Sequence, residues 1–173
     1  IKIMASNQPT QALNVVVSDT INIPEPDAYI TGTSSSGTGT TITDGSANFL
    51  GVDNPGKTGY SNRVAVGDVV YVIDGATITI VRVTAITNNT NIVVSASVPG
   101  TKPYQIYRSN GDFKNVSEGF SLFVGGAGNI AVVPASSDQV VKLENIPDSS
   151  FIPLQVKRVN STDTTATKII ALR

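Results

Sequence analysis

Three stretches of this chain carry residue types at spacings that could do chemistry. Gly51-Val52-Asp53-Asn54-Pro55-Gly56-Lys57-Thr58 has the spacing of a phosphate-binding loop, in which backbone amides cradle phosphates, the lysine neutralises them and the threonine holds Mg²⁺. The apolar run from Val69 ends in Asp74, as the metal-positioning strand beside such a loop does. That chemistry needs a helix opening at Lys-Thr, with its N-terminal amides facing the phosphates. Here Gly-Tyr-Ser-Asn-Arg-Val-Ala-Val-Gly-Asp follows from Gly59 to Asp68, which cannot make that helix, and no room remains for an α/β crossover. A glycine-rich surface loop is therefore expected at 51–58. Gly126-Ala127-Gly128-Asn129-Ile130-Ala131 similarly imitates a dinucleotide fingerprint, but its sequel is strand-like and stops at Pro134, so no helix receives a pyrophosphate. A tight glycine hairpin joining 120–124 to 130–133 is the expectation there.

The carboxylates are the third source of chemistry, since paired acids can cleave glycosidic bonds. Most of the 13 sit at turns, as in Asp44-Gly45, Asp74-Gly75 and Pro147-Asp148, where an Asp hydrogen-bonds to nearby backbone. Sugar platforms also use exposed aromatics, and the chain has no Trp, 5 Tyr and 5 Phe. Calcium could be held by Asp and loop carbonyls, but no EF-hand spacing is present. With no His and no Cys, Ser-His-Asp and Cys-His nucleophiles, thiolate chemistry, imidazole ligands and disulfides are all excluded. The reading is a non-enzyme with no catalytic, cofactor-binding or metal site.

Charge narrows the partners. The net charge is -1, charged residues make up 14% of the chain, and Lys and Arg are scattered, which leaves no electrostatic footprint for nucleic acid or an anionic membrane. No apolar run reaches the ~18 residues needed to span a bilayer, and the start lacks a basic segment followed by an apolar one. The expectation is a soluble product of the cytoplasm, in which the sequons at Asn88, Asn115 and Asn160 carry no sugar. Met4 could be a translational start.

The elements that must position these residues are strands. Val, Ile, Leu and Thr alternate between clusters of Gly, Asn, Asp, Ser and Pro, with almost no helical periodicity. Candidate strands are 13–17, 28–31, 66–73, 77–86, 91–96, 104–108, 120–124, 130–133, 139–143, 152–159 and 167–172. Strands this short and close indicate a sandwich or barrel. Residues 1–12 read as an extended arm, Gly32 to Thr41 as a linker, and Ser109 to Gly119 as a second break. Between the breaks, Val66-Gly67-Asp68 leads into consecutive antiparallel strands with turns at Asp74-Gly75 and Asn88-Asn89, and Tyr104 to Arg108 closes them. The chain is thus expected to be all-β. A discontinuous antiparallel sandwich-like base, 1–31 and 111–173, carries an inserted small β-barrel module at 32–110. Along 152–159, Gln155 and Lys157 should point outward with Pro153, and together with Arg158 they form the candidate interface. The stretch after Val159 should be a hairpin with a polar tip.

The flanks carry a specific resemblance. Val15 to Pro24 (VVVSDTINIP), Ser121 to Val133 (SLFVGGAGNIAVV) and Phe151 to Arg173 (FIPLQVKRVNSTDTTATKIIALR) resemble the spike base proteins of phage and gene-transfer-agent heads. That family runs from an SDT-x-x-x-P segment through a YVGGAGD-like hairpin to an LPVRVKRV-x-x-TGTTAT-x-I-x-AL terminus. Phe123 stands where the family has Tyr, Asn129 where it has an acid, and small members lack anything like 32–110. That insertion resembles small β modules of phage virion proteins, in which an apolar-Gly-Asp pattern precedes three strands. The resemblance implies a virion protein of the capsid surface that contacts the major capsid protein and supports a spike or fibre protein. Low charge and Thr/Val-rich edges suit a homo-oligomer in a repetitive assembly. A capsid decoration or cement protein and a minor tail subunit are rivals of the same class. A carbohydrate-binding or depolymerising adhesin is the rival from another.

Overall fold

The computed structural model describes residues 9–26, 28–51, 63–109 and 119–173. The fold is all-β, as expected: the described residues hold no helix and form two antiparallel sheets, one of them curled into a half-barrel. The strands in chain order are β1 Ala12–Asn14, β2 Ala28–Thr33, β3 Gly39–Thr43, β4 Val69–Asp74, β5 Thr77–Asn88 and β6 Asn91–Val98. They continue with β7 Pro103–Tyr107, β8 Phe120–Gly126, β9 Gly128–Pro134, β10 Val141–Ile146, β11 Ser150–Val159 and β12 Thr167–Leu172. The chain divides into two compact units, one of Ile1–Pro26 with Asp112–Arg173, the other of Asp27–Gly111.

In the second unit the strand order is β2-β7-β4-β5-β6-β3. The meander of β4, β5 and β6 follows its turn residues, with Asp74 opposite Thr77 and Asn88 opposite Asn91. Gly75 has a φ of 62°, a conformation its missing Cβ permits. Residues 77–82 of the long β5 pair with β4 and residues 83–88 pair with β6, so one strand serves both halves of a bent sheet. Strand alternation sends Val70, Val72, Val81 and Val83 inward to meet Ile92, Tyr104 and Ile106, all nearly solvent-free. Each such Val or Ile stabilises the fold by about 1.5 to 3 kcal/mol of apolar transfer.

Two expectations are corrected here. Gly32 to Thr41 is no linker: Gly32 and Thr33 end β2, and Gly39 to Thr41 begin β3. Ser34 to Ser36 turn the chain between them, with Ser34 Oγ 2.7 Å from Ser36 Oγ and Ser36 Oγ donating to the Thr41 carbonyl. The division at 31/32 moves accordingly to 26/27, because residues 28–31 pair with β7.

In the first unit the order is β1-β12-β8-β11-β9-β10. Ile130, Ala131, Val132 and Val133 are all fully buried, so β9 is enclosed on both faces. The expected glycine hairpin is absent, since β8 and β9 do not pair with each other. Both pair with β11, which carries register shifts between Ile152 and Val156 and between Val156 and Arg158. Its residues 150–156 lie along β8 and its residues 156–159 along β9. The glycines serve a close approach instead: a Cβ on Gly128 would lie 2.5 Å from the Ala166 nitrogen, and φ there is 152°. The expected hairpin after Val159 is absent too, because β8 lies between β11 and β12. The end of the arm expected over 1–12 is tied into the sheet instead, since Thr10 and Gln11 donate to the Arg173 carbonyl and Ala12 opens β1. Residues 1–8, all of 51–58 except Gly51, and 110–118 lie outside the described residues, and the readings made for them with them.

Candidate functional site

The interface residues expected from the sequence all lie on β11, whose bulges break the alternation that would have put them on one face. Pro153 is exposed. Gln155, Lys157 and Arg158 are half-buried and spoken for within the unit. Gln155 Nε2 donates to Ser121 Oγ at 3.1 Å, and Lys157 Nζ meets Asp138 Oδ1 at 2.7 Å. Arg158 donates through Nε to Asn160 Oδ1 at 3.0 Å and through Nη1 to Asn22 Oδ1 at 3.4 Å. Asp138 is fully exposed at the surface, and the hydrogen bond and charge of Lys157 hold its carboxyl below the usual range.

The side chains that β11 does offer are apolar. Phe151 is 55% exposed and Leu154 37%, on either side of Pro153. Phe151 stands opposite Phe123 of β8, and Phe123 opposite Ile170 of β12, which makes a row of partly exposed apolar residues across three strands. Phe151 and Leu154 are not among the interface residues expected from the sequence. A signal was present, because four consecutive apolar residues, Phe151 to Leu154, cannot all face one core when the side-chain period is two.

Within the first unit, the three segments that carry the resemblance meet. Ser18 donates its amide to the Val159 carbonyl, Val15 to that of Ile169, and Ile23 to that of Lys157. Asp19 then clamps the connection between β11 and β12: it accepts Ser161 Oγ at 2.6 Å, the Thr162 amide at 2.9 Å and Thr162 Oγ1 at 2.9 Å. These bonds, that of Ser161 foremost, lower its carboxyl below 3.8. From the other side Asn129 accepts the amides of Thr165 and Ala166 on its carbonyl, and Thr164 Oγ1 receives the Ala131 amide. Sequence reasoning gave Asp19 no role, as its partners are more than a hundred residues away.

Among the described residues the two most buried carboxylates, Asp68 and Asp44, lie in the second unit, and both are fully engaged by donors of that unit. Asp68 is 3% exposed and receives Tyr29 Oη, the Ala65 amide at 2.8 Å, the Ser109 amide at 3.2 Å and Arg108 Nη1 at 3.2 Å. The Arg108 guanidinium also stacks 3.7 Å above the Tyr29 ring. Asp44 accepts Tyr104 Oη at 2.7 Å and the Ser46 amide at 2.8 Å. Burial, then the facing carboxylate, pushes both Tyr29 and Tyr104 well above the usual phenol range, so neither is poised as an acid or base. Asp74, at the end of β4, forms a surface ion pair with Lys102 at 2.8 Å. Its strand lies antiparallel between β5 and β7, unlike the parallel strand of a nucleotide site. Among the described residues no three His, Cys, Asp or Glu side chains gather where they could hold a metal. The arrangement offers surfaces and clamps. The chain matches no protein-family model, no curated protein and no solved structure.

Proposed function

We propose that this chain is a structural subunit of a tailed-phage particle, a base protein on the capsid surface that contacts the major capsid protein and anchors a spike or fibre. The observation that supports this reading is the junction around Asp19. The segments resembling head spike base proteins are far apart in sequence, yet Val15 to Ile23, Asn129 to Ala131 and Val159 to Ile169 are hydrogen-bonded together in one unit. A motif set that folds into one contiguous knot has a physical reason to recur as a set. The exposed Phe151-Pro153-Leu154 segment of the same unit is the surface offered to the shell, since apolar groups on a rigid strand lose little entropy on docking.

The test is binding of the purified chain to purified tailed-phage capsids, followed by mapping of its positions on the particle. Occupancy of a few special positions is the expected result, whereas even occupancy of the whole lattice would make it a cement protein. Failure to bind, or cleavage of host polysaccharide by the chain, would defeat the proposal. Phe151→Asp with Leu154→Asp should weaken capsid binding at least roughly tenfold, because hot-spot truncations typically cost more than about 1 to 2 kcal/mol. The chain should stay folded, its thermal midpoint falling only by what the lost cross-strand contact of Phe151 with Phe123 contributes.

A further inference from the structure

We infer that β10 is a self-complementary edge through which two copies of this chain pair antiparallel about a two-fold axis at Leu143. This inference does not depend on the particle reading.

The direction of the backbone groups comes first. Lys142 stands opposite Ala131 of β9. Ala131 sends both its polar groups the other way, its amide to Thr164 Oγ1 and its carbonyl to the Asn160 amide. In an antiparallel ladder the partner of such a residue also points its own groups outward. The N–H and C=O of Lys142 therefore face away from β9, and a strand period of two would carry this to Glu144, where the register shift between Leu143 and Ile146 begins. Among the described residues no strand pairs with that side, as β10 ends the sheet.

The side chains then select the occupant. In an antiparallel pairing centred on Leu143, Lys142 of one copy lies opposite Glu144 of the other, and symmetry repeats the pair. The two residues with outward backbone groups are thus also the two with opposite charges. Within one copy their side chains already lie close, Lys142 Nζ being 3.6 Å from Glu144 Oε1 and 3.7 Å from Asp163 Oδ1. A lysine on an edge ordinarily deters a second strand, but this register sets it against a carboxylate. Val140 and Val141, 51% and 38% exposed, lie on the same edge and would be covered by the partner strand. Between Leu143 and Ile146 the register with β9 shifts and Asn145 adopts a φ of 55°, so the regular run of the edge ends in this bulge. Because the contact is isologous and short, it closes at two copies.

The chain contains no cysteine, so a single introduced one reports cleanly. Leu143 would face its own counterpart in a non-hydrogen-bonded pair, with Cα atoms about 4.5 Å apart, within disulfide range. Under mild oxidation L143C should form a covalent dimer, whereas V141C, which would face Asn145 of the other copy, should not. Without cysteines, the dimer found by sedimentation should weaken roughly tenfold or more in K142E, where carboxylates oppose each other at both symmetric positions, and recover in K142E/E144K. K142P should abolish it while leaving the fold intact by circular dichroism, since the amide it removes makes no bond to β9. A chain that stays at 18.0 kDa at all concentrations would overturn the inference. Equal cross-linking of L143C and V141C, or a double swap as weak as K142E, would overturn it as well.

Discussion

Gly32 is the residue on which the second unit's interior closes. A Cβ there would lie 2.3 Å from Asp44 Oδ2 and 2.5 Å from Tyr104 Oη, in the middle of the hydrogen bond that joins the end of β3 to β7. Gly32→Ala should therefore destabilise the unit by about 1 to 3 kcal/mol, the usual cost of overpacking. Tyr104→Phe, which leaves a buried carboxylate short of a donor, should cost a similar amount, about 1 to 3 kcal/mol. Asp68→Ala should cost at least as much, because it removes the shared acceptor of Tyr29 Oη and the Ala65 and Ser109 amides, while Arg108 keeps the Arg63 carbonyl. Urea unfolding would measure all three, and a Gly32→Ala midpoint equal to the parent's would refute the crowding argument. The sequence made the Asp68 region recognisable as an apolar-Gly-Asp entry to a strand but concealed Gly32. Composition cannot separate a glycine that gives freedom from one that yields space, and GTSSSGTGTT therefore read as a linker when its serines build a turn.

Among the elements, those with local partners were legible and those with distant partners were not. The β4-β5-β6 meander followed from two short turns and alternating Val, Ile and Thr. The placement of β11 between β8 and β9 did not, because a strand's own alternation says nothing about which remote strand it joins, and two glycines near a strand end look the same in a hairpin as in a close approach. The Asp19 clamp has the same character, and it carries a pH dependence. Its carboxyl is lowered in the folded chain, so its contribution is complete above 3.8 and disappears as pH falls through the lower native value. The parent's thermal midpoint should drop below that pH, and Asp19→Asn, which cannot titrate, should show a smaller drop. Parallel curves for the two proteins would remove Asp19 from the account.

For the whole molecule, the consequence lies in how the second unit begins and ends. Ala28 at the start of β2 is the direct ladder partner of Tyr107 at the end of β7, so the chain enters and leaves this unit at neighbouring positions. Its ladder pairs, its core from Ile42 to Ile106 and its two carboxylate clusters are all drawn from its own residues. A segment with adjacent ends and a private core satisfies the physical requirements of an insertion, since it constrains its host only across a gap of one strand spacing. Residues 27–111 expressed alone should therefore fold cooperatively with a dispersed amide spectrum, and the remaining chain, closed by a short Gly-Ser bridge from Pro26 to Asp112, should keep the Asp19 clamp. If the excised unit proves unfolded while the parent is stable, its core is insufficient alone and the two units must be treated as one folding body.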